Sequence, residues 1–303
     1  MPGADVWLLV LPGAPFVASL VAALLPAHAR NTAAALSTGA MLVGLALAVT
    51  LSGRLTAAHG LEWAAPWVPA LGLDFSLALD GFSWVFLMLV YGIGLLVSIY
   101  ARYYMSPADP VPRFYSLLLA FAGSMVGIVL SGNVIQLVVF WEMTSLLSFL
   151  LIGYWHHGAA AREGARMALI VTSAGGLCLL AGLLLLARVA GGYEIETIVA
   201  AADEIRASGV YGPALALVLI GAFTKSAQFP FHFWLPQAMA APTPVSAYLH
   251  SATLVKAGVF LLMRFWPALS GTDGWFFTVT VVGLTTLTLG AFLAMFQNDL
   301  KGV

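Results

Sequence analysis

Charge is what this 303-residue sequence has least of. Lys, Arg, Asp and Glu together make up 8% of it, against about 25% in a soluble domain, and they nearly cancel to a net charge of −1. Such a balance offers nothing to a nucleic acid, whose binding surfaces are basic. Cysteine is almost absent too. The single Cys178 sits in an apolar run and reads as a small buried hydrophobe, and one thiol excludes a disulfide framework, an iron–sulfur cluster and a cysteine-rich zinc site. Nucleotide and hydrolase signatures are missing as well: no GxGxxG, HExxH or GxSxG occurs. GAFTKS at 221–226 ends like a phosphate loop, but Thr224 stands where the glycine before the lysine belongs. No cofactor is expected. The first 29 residues contain no Lys or Arg, and their apolar run is about 20 long. PAHA at 26–29 resembles a signal-peptidase site, but the basic start and short apolar core of a signal peptide are lacking, so Val6–Leu25 reads as a first spanning helix.

What the chain has instead is apolar length. Hydrophobic residues make up 61% and mean hydropathy is +0.98, which places most of the chain in a membrane. A spanning helix needs about 20 apolar residues. On that measure the spans are Val6–Leu25, Thr32–Leu51, Gly81–Tyr100, Phe114–Ser131, Val134–Tyr154, Met167–Val189, Tyr211–Met239 (interrupted), Val245–Trp266 and Gly274–Phe296, and LKGV at the end reads as the start of a tenth. The fold class is an all-α polytopic membrane protein of about nine transmembrane helices. No linker or low-complexity tract divides it.

The flanking arginines suggest an orientation. Arg30, Arg102, Arg113, Arg162 and Arg166 follow helices 1, 3 and 5, whereas Arg54, Arg188 and Arg206 follow helices 2 and 6. The excess puts the first set in the cytoplasm and the N-terminus outside. The loops after helices 2 and 6 hold Glu62, Asp74, Glu194, Glu196, Asp203 and Glu204, which fits an outer face. Many of the nine Trp flank spans and read as the interfacial belt.

Against this background a few buried charges stand out. Glu142 lies in VIQLVVFWEMTSLLSFLLIGYW with nothing charged within eight residues on either side. A charge at mid-bilayer costs roughly 2.5–3.5 kcal/mol on insertion scales, so it is kept for a function. Lys225 lies beside a broken helix: Pro230, Pro236, Pro242 and Pro244 fall within fifteen residues, each removing a backbone donor. Discontinuous helices of this kind mark ion sites in transporters. His250 and Lys256 follow in the eighth span, about 9 Å apart along a helix axis. Opposite charges on different helices offset part of each other's desolvation cost and set how readily each holds its proton. A Glu142–Lys225–His250–Lys256 series on a wet axis can therefore pass protons. The hydroxyls of Ser145, Ser148, Thr243 and Ser246 would hold intervening water, and His232 just past the break would assist. Glu142 could also be a structural pair, Lys225 and Lys256 could snorkel, and His250 could be a satisfied core histidine. Arg264 near a helix end reads as an anchor, and His156–His157 as solvated loop. No metal site is expected.

Two long stretches, FWEMTSLLSFLLIGYW and TKSAQFPFHFWLPQAMAAPTPVSAYLHSATLVKAG, closely resemble the antiporter-like proton-pumping subunits shared by respiratory complex I, membrane-bound hydrogenases and Mrp-type cation/proton antiporters. The likeness spans nearly all of residues 75–303 and is greatest to the large A subunit of Mrp antiporters, because the complex I counterpart typically has a Thr-type residue where this chain has Lys256. The resemblance implies that Glu142 and Lys225 form the family's half-channel pair, that His250 and Lys256 are its relay groups, and that Lys301 in NDLKGV is the central lysine joining two inverted five-helix repeats. It divides the chain into N-terminal helices at 1–113, a first repeat of helices 4–8 at 114–267, and an incomplete second repeat at 268–303. The family's second broken helix is missing, so the chain looks like an N-terminal portion. The implied function is the proton-translocating subunit of a multisubunit Na⁺ or K⁺/proton antiporter, a secondary transporter rather than an enzyme, in the plasma membrane with other antiporter subunits as partners. The rivals are a proton-pumping subunit of a complex I-type or hydrogenase redox complex, and a truncated scaffold that only holds partners.

Overall fold

The computed structural model describes residues 6–58, 60–299 and 301. In chain order it forms α1 (Trp7–Ala23), α2 (Arg30–Ala58), strands β1 (Leu61–Val68) and β2 (Leu73–Leu79), then α3 (Gly81–Tyr104), α4 (Val111–Leu130), α5 (Val134–Ile152) and α6 (Ala159–Ala190). Two short helices, α7 (Ile195–Ala200) and α8 (Ala202–Ala207), lead to α9 (Tyr211–Lys225), α10 (Trp234–Ala238), α11 (Thr243–Ser246), α12 (Leu254–Arg264), α13 (Trp266–Leu269) and α14 (Asp273–Ala294). Seven helices among the described residues are long and apolar enough to cross a membrane, counting Thr243–Arg264 as one span, and α1 and α9 are two shorter apolar ones. They stand where the nine spans are read. Of LKGV, only Lys301 lies among the described residues.

Polar side chains start the helices where the apolar runs begin. Asp80 accepts the Ser83 amide at 2.7 Å ahead of α3, and Asn133 accepts the Ile135 amide at 2.8 Å ahead of α5. Each satisfies an amide that has no partner inside its own helix. α1 contains Pro12 and Pro15. Pro15 cannot donate to the carbonyl four residues back, and the buried Tyr91 hydroxyl of α3 bonds that carbonyl, Leu11 O, in its place. α4 is the core helix: Phe114, Leu118, Phe121, Ala122 and Val126 are fully buried between α1, α3 and α5.

One element is absent from the all-α reading. LEWAAPWV and LDFSLAL pair as an antiparallel hairpin, with a bulge at Pro66–Val68 and a turn at Gly72 in the left-handed region (φ 66°). Gln136 completes its edge. The Gln136 side-chain amide accepts from Ser76 N and donates to Ser76 O, both at 3.0 Å, and Gly132 N is a second donor to Ser76 O. Glu194 accepts from Ser76 Oγ at 2.8 Å and Asn133 Nδ2 at 3.1 Å, locking the loop after α6 to the hairpin. Burial, then the neighbouring Glu196 and Glu194, push the Glu62 carboxyl above its ordinary range.

α14 is the outlier. Only Trp275 along it is buried, while Phe276, Leu284, Leu287 and Phe292 are exposed.

Candidate functional site

The prolines break the seventh span as expected. α9 ends at Lys225, Ala227 takes a positive φ of 51°, and a short 3-10 turn at Phe231–Phe233 precedes α10. The Trp234 indole donates to Thr224 O at 2.9 Å, fastening the far side of the break to the end of α9. The freed backbone is therefore satisfied within the protein, as depth in a bilayer requires.

Lys225 is completely buried (0% exposed). Its ammonium donates to Ser145 Oγ at 2.7 Å and to Trp141 O at 2.9 Å, and it lies 5.0 Å from the centroid of the Trp141 ring. Glu142 is the next residue along α5, yet among the described residues it makes no ion pair with Lys225. The two are close enough to feel each other's charge, but the carboxylate turns to α6, with Ser173 beside it. Gly176 makes that possible: a methyl group on it would overlap Glu142 Oε1, and one on the adjacent Gly175 would overlap Thr224 Oγ1. Glu142 Oε1 and Trp141 Nε1 are buried without a protein partner. Buried polar atoms of this kind are sites for ordered water where the cavity is large enough.

The remaining groups are spread over several places. Ser148 bonds its own helix, to Ser145 O at 2.8 Å, and lines the same side of α5. His250 packs 5.9 Å from the Trp234 ring, and both its nitrogens, like Ser246 Oγ, are buried without a partner. His250 does not sit in a regular helix. Ala247–Ala252 is a π-helical turn, closed by Thr253 Oγ1 donating to Tyr248 O at 2.6 Å, so the axial distance to Lys256 expected of one straight helix does not apply. Lys256 is exposed on α12, away from this buried group. Lys301 donates to Met239 O and Ala241 O, both at 2.8 Å, holding the carbonyls just past α10. With His232 it lines a cavity of about 450 Å³ between the break and α14. Thr243 stands apart, its hydroxyl bonding Tyr104 OH at 3.1 Å. Arg264 is no free anchor: it forms an ion pair with Asp80, tying α12 to the start of α3. No group of three or more His, Cys, Asp or Glu able to hold a metal is found among the described residues.

Trp141, Gly175 and Gly176 complete the site and escape a reading based on charge. Their signal is position alone, next to Glu142 and in the middle of a span.

Known proteins resemble the chain over nearly its whole length. A family model described as "NADH:quinone oxidoreductase/Mrp antiporter, TM" matches residues 131–303, and one described as "NADH-Ubiquinone oxidoreductase (complex I), chain 5 N-terminus" matches residues 63–115. The chain is 56% identical over 289 residues to the probable A/B subunit of a K⁺/H⁺ antiporter of Rhizobium meliloti (strain 1021), covering 95% of this chain and 29% of that protein. It is 47% identical over 258 residues to the A subunit of a Na⁺/H⁺ antiporter of Alkalihalophilus pseudofirmus, covering 85% and 31%. The chain thus spans under a third of the length of these curated relatives. A chain of the Mrp complex from Dietzia sp. DQ12-45-1b superposes with a TM-score of 0.85 at 38% identity, covering 99% of this chain and 32% of that one. A chain of an archaeal membrane-bound sulfane sulfur reductase shares the fold at a TM-score of 0.81 and 20% identity, covering 99% and 61%. By its match over residues 131–303, more than half its length, the chain belongs to the NADH:quinone oxidoreductase/Mrp antiporter transmembrane family.

Proposed function

We propose that this chain is the proton-translocating part of the A subunit of a multisubunit monovalent cation/proton antiporter, exchanging Na⁺ or K⁺ for protons in the plasma membrane, with its N-terminus outside and other antiporter subunits around it. The observation that carries the reading is a fully buried lysine at a helix break with a lone carboxylate on the neighbouring helix. A buried amine and a buried acid on neighbouring helices are coupled: the approach or withdrawal of one charge changes how readily the other group holds its proton. Glu142 and Lys225 form the first step. His250, with both nitrogens free, receives or supplies the proton through water. Lys301, fixed at the carbonyls past α10, is the next cation along the path. Ser145 orients Lys225 directly, Ser148 and Ser246 hold water, and His232 opens to the cavity beside Lys301. Lys256 joins the path from its exposed face of α12. Residues 114–267 form the first repeat and 268–303 belong to the second.

The antiporter names of the relatives at 47–56% identity favour exchange over redox-driven pumping. The test is Glu142→Gln in the assembled complex, with antiport followed in inverted vesicles by a pH-sensitive dye on addition of Na⁺ or K⁺. The amide keeps the shape and removes the charge, and antiport is expected to stop while the assembled protein persists. Near-normal exchange would leave Glu142 with a structural role only.

A further inference from the structure

The acid and the amine of the site occupy separate seats, and both seats are built by uncharged residues. Successive residues of a helix point about 100° apart. Trp141 accordingly presents its carbonyl and ring to Lys225 on α9, whereas Glu142 turns to α6. The Trp141 indole is fully buried and its N–H has no protein partner. An indole in a protein interior normally uses its N–H. Here the ring face is what meets a neighbour, the ammonium 5.0 Å away. An ammonium over an indole is attracted by the ring quadrupole, most strongly when desolvated. On the other side, Gly176 opens the niche into which Glu142 Oε1 fits, and Gly175 opens the one that receives Thr224 Oγ1 beside Lys225.

We propose that Trp141 and Gly176 are positioning residues of the proton transfer: the Trp141 ring and carbonyl seat the Lys225 ammonium, the Gly176 niche seats the Glu142 carboxylate, and transfer requires one group to leave its seat for the other. This rests on the reading of Glu142 and Lys225 as the proton-exchanging pair. Neither positioning residue takes up a proton. Each sets the separation of the two charges, and so the pH at which exchange runs.

The test uses the chain assembled with its neighbouring antiporter subunits in a host lacking its own cation/proton antiporters, with antiport measured in inverted vesicles across a pH series and assembled protein quantified by immunoblot. Trp141→Phe, which keeps a ring face, should stay within about threefold of the parent, and Trp141→Leu should lose about tenfold or more. Gly176→Ala crowds the carboxylate from its niche, and should lose about tenfold with a displaced pH profile. Adding Glu142→Asp withdraws the carboxyl by one methylene, and should recover part of that loss even though Glu142→Asp alone lowers activity. Equal losses for Phe and Leu, or an unmoved pH profile for Gly176→Ala without recovery in the double variant, would overturn the proposal. Should Gly176→Ala not accumulate, the Trp141 pair decides. Glu142→Gln and Lys225→Ala run alongside: exchange surviving in them defeats the parent reading, whereas exchange lost in them but unaltered in the Trp141 and Gly176 variants defeats only the seating.

Discussion

The Lys225 ammonium bonds the backbone carbonyl of Trp141 at 2.9 Å instead of the carboxylate of Glu142, the very next residue. A salt bridge closed in the low-dielectric interior would hold both protonation states fast. An amine resting on a carbonyl, a hydroxyl and a ring face keeps a positive charge tolerable while leaving the acid free to approach. Acid and amine thus rest apart, the amine at the end of α9 beside the break.

The first prediction follows from the amine's need to release its proton. Lys225→Arg keeps the positive charge, but a guanidinium stays protonated in proteins and does not fit the seat between Ser145 and Trp141. Antiport should fall by about a hundredfold, the order lost when a positioned proton-transfer group is removed. Vesicle assays normalised to assembled protein measure this. An Arg variant that exchanges as well as the parent would mean that Lys225 is a fixed charge.

The second prediction concerns the framework. The Tyr91 hydroxyl bonds the carbonyl that Pro15 leaves unpaired, so Tyr91→Phe should cost about 1–3 kcal/mol, seen as a lower thermal midpoint in detergent. Pro15→Ala restores the missing backbone donor, and in that background Tyr91→Phe should cost clearly less. Equal costs in both backgrounds would show that the hydroxyl serves some other group.

Much of the site is visible in the sequence because charge is so rare there. Glu142 and Lys225 announce themselves by standing alone in apolar runs, and four prolines announce the break. What stays hidden is whatever depends on backbone or shape. Trp141 O is an acceptor that every residue owns, so no side-chain pattern could mark it as the partner of Lys225. Gly175 and Gly176 are two of 30 glycines, and glycine is common in membrane helices. The hairpin at 61–79 is short and aromatic, and its tryptophans read equally well as interfacial residues. The π turn around His250 rests on Thr253 bonding a carbonyl five residues back, which helical periodicity does not show. Arg264 resembles an anchor until the fold brings Asp80, 184 residues away, beside it.

That last contact yields a pH prediction. Burial alone would raise the Asp80 carboxyl, but the Ser83 amide and the Arg264 guanidinium outweigh it and hold Asp80 below the usual carboxylate range. A group depressed in the folded state adds stability above its unfolded pKa, near 4, and loses it as pH falls through the folded value. The Asp80 side chain is 37% exposed, so solvent screening limits the contribution to about 1 kcal/mol. Arg264→Leu should lower the thermal midpoint at about pH 6, and by much less at an acid pH below the depressed folded-state value of Asp80. The same loss at both values would rule out the ion pair as its source.

Lys256 provides the sharpest test of how far the proton path extends. It lies well inside the Thr243–Arg264 span, yet on the exposed face of α12. A lysine facing lipid at that depth would cost roughly 2.5–3.5 kcal/mol on insertion scales. The π turn and the disrupted backbone at Thr253 lie between Lys256 and His250, and a change in that turn would rotate one relative to the other. As a relay group Lys256 must give up its proton. Lys256→Ala should then abolish antiport, and Lys256→Arg should impair it by about tenfold or more, because the guanidinium carries charge but does not shuttle. Both variants should assemble normally, since Lys256 is exposed on α12. If Arg works as well as Lys while Ala does not, Lys256 supplies a standing positive charge beside the path, and the relay runs from His250 to Lys301 without it.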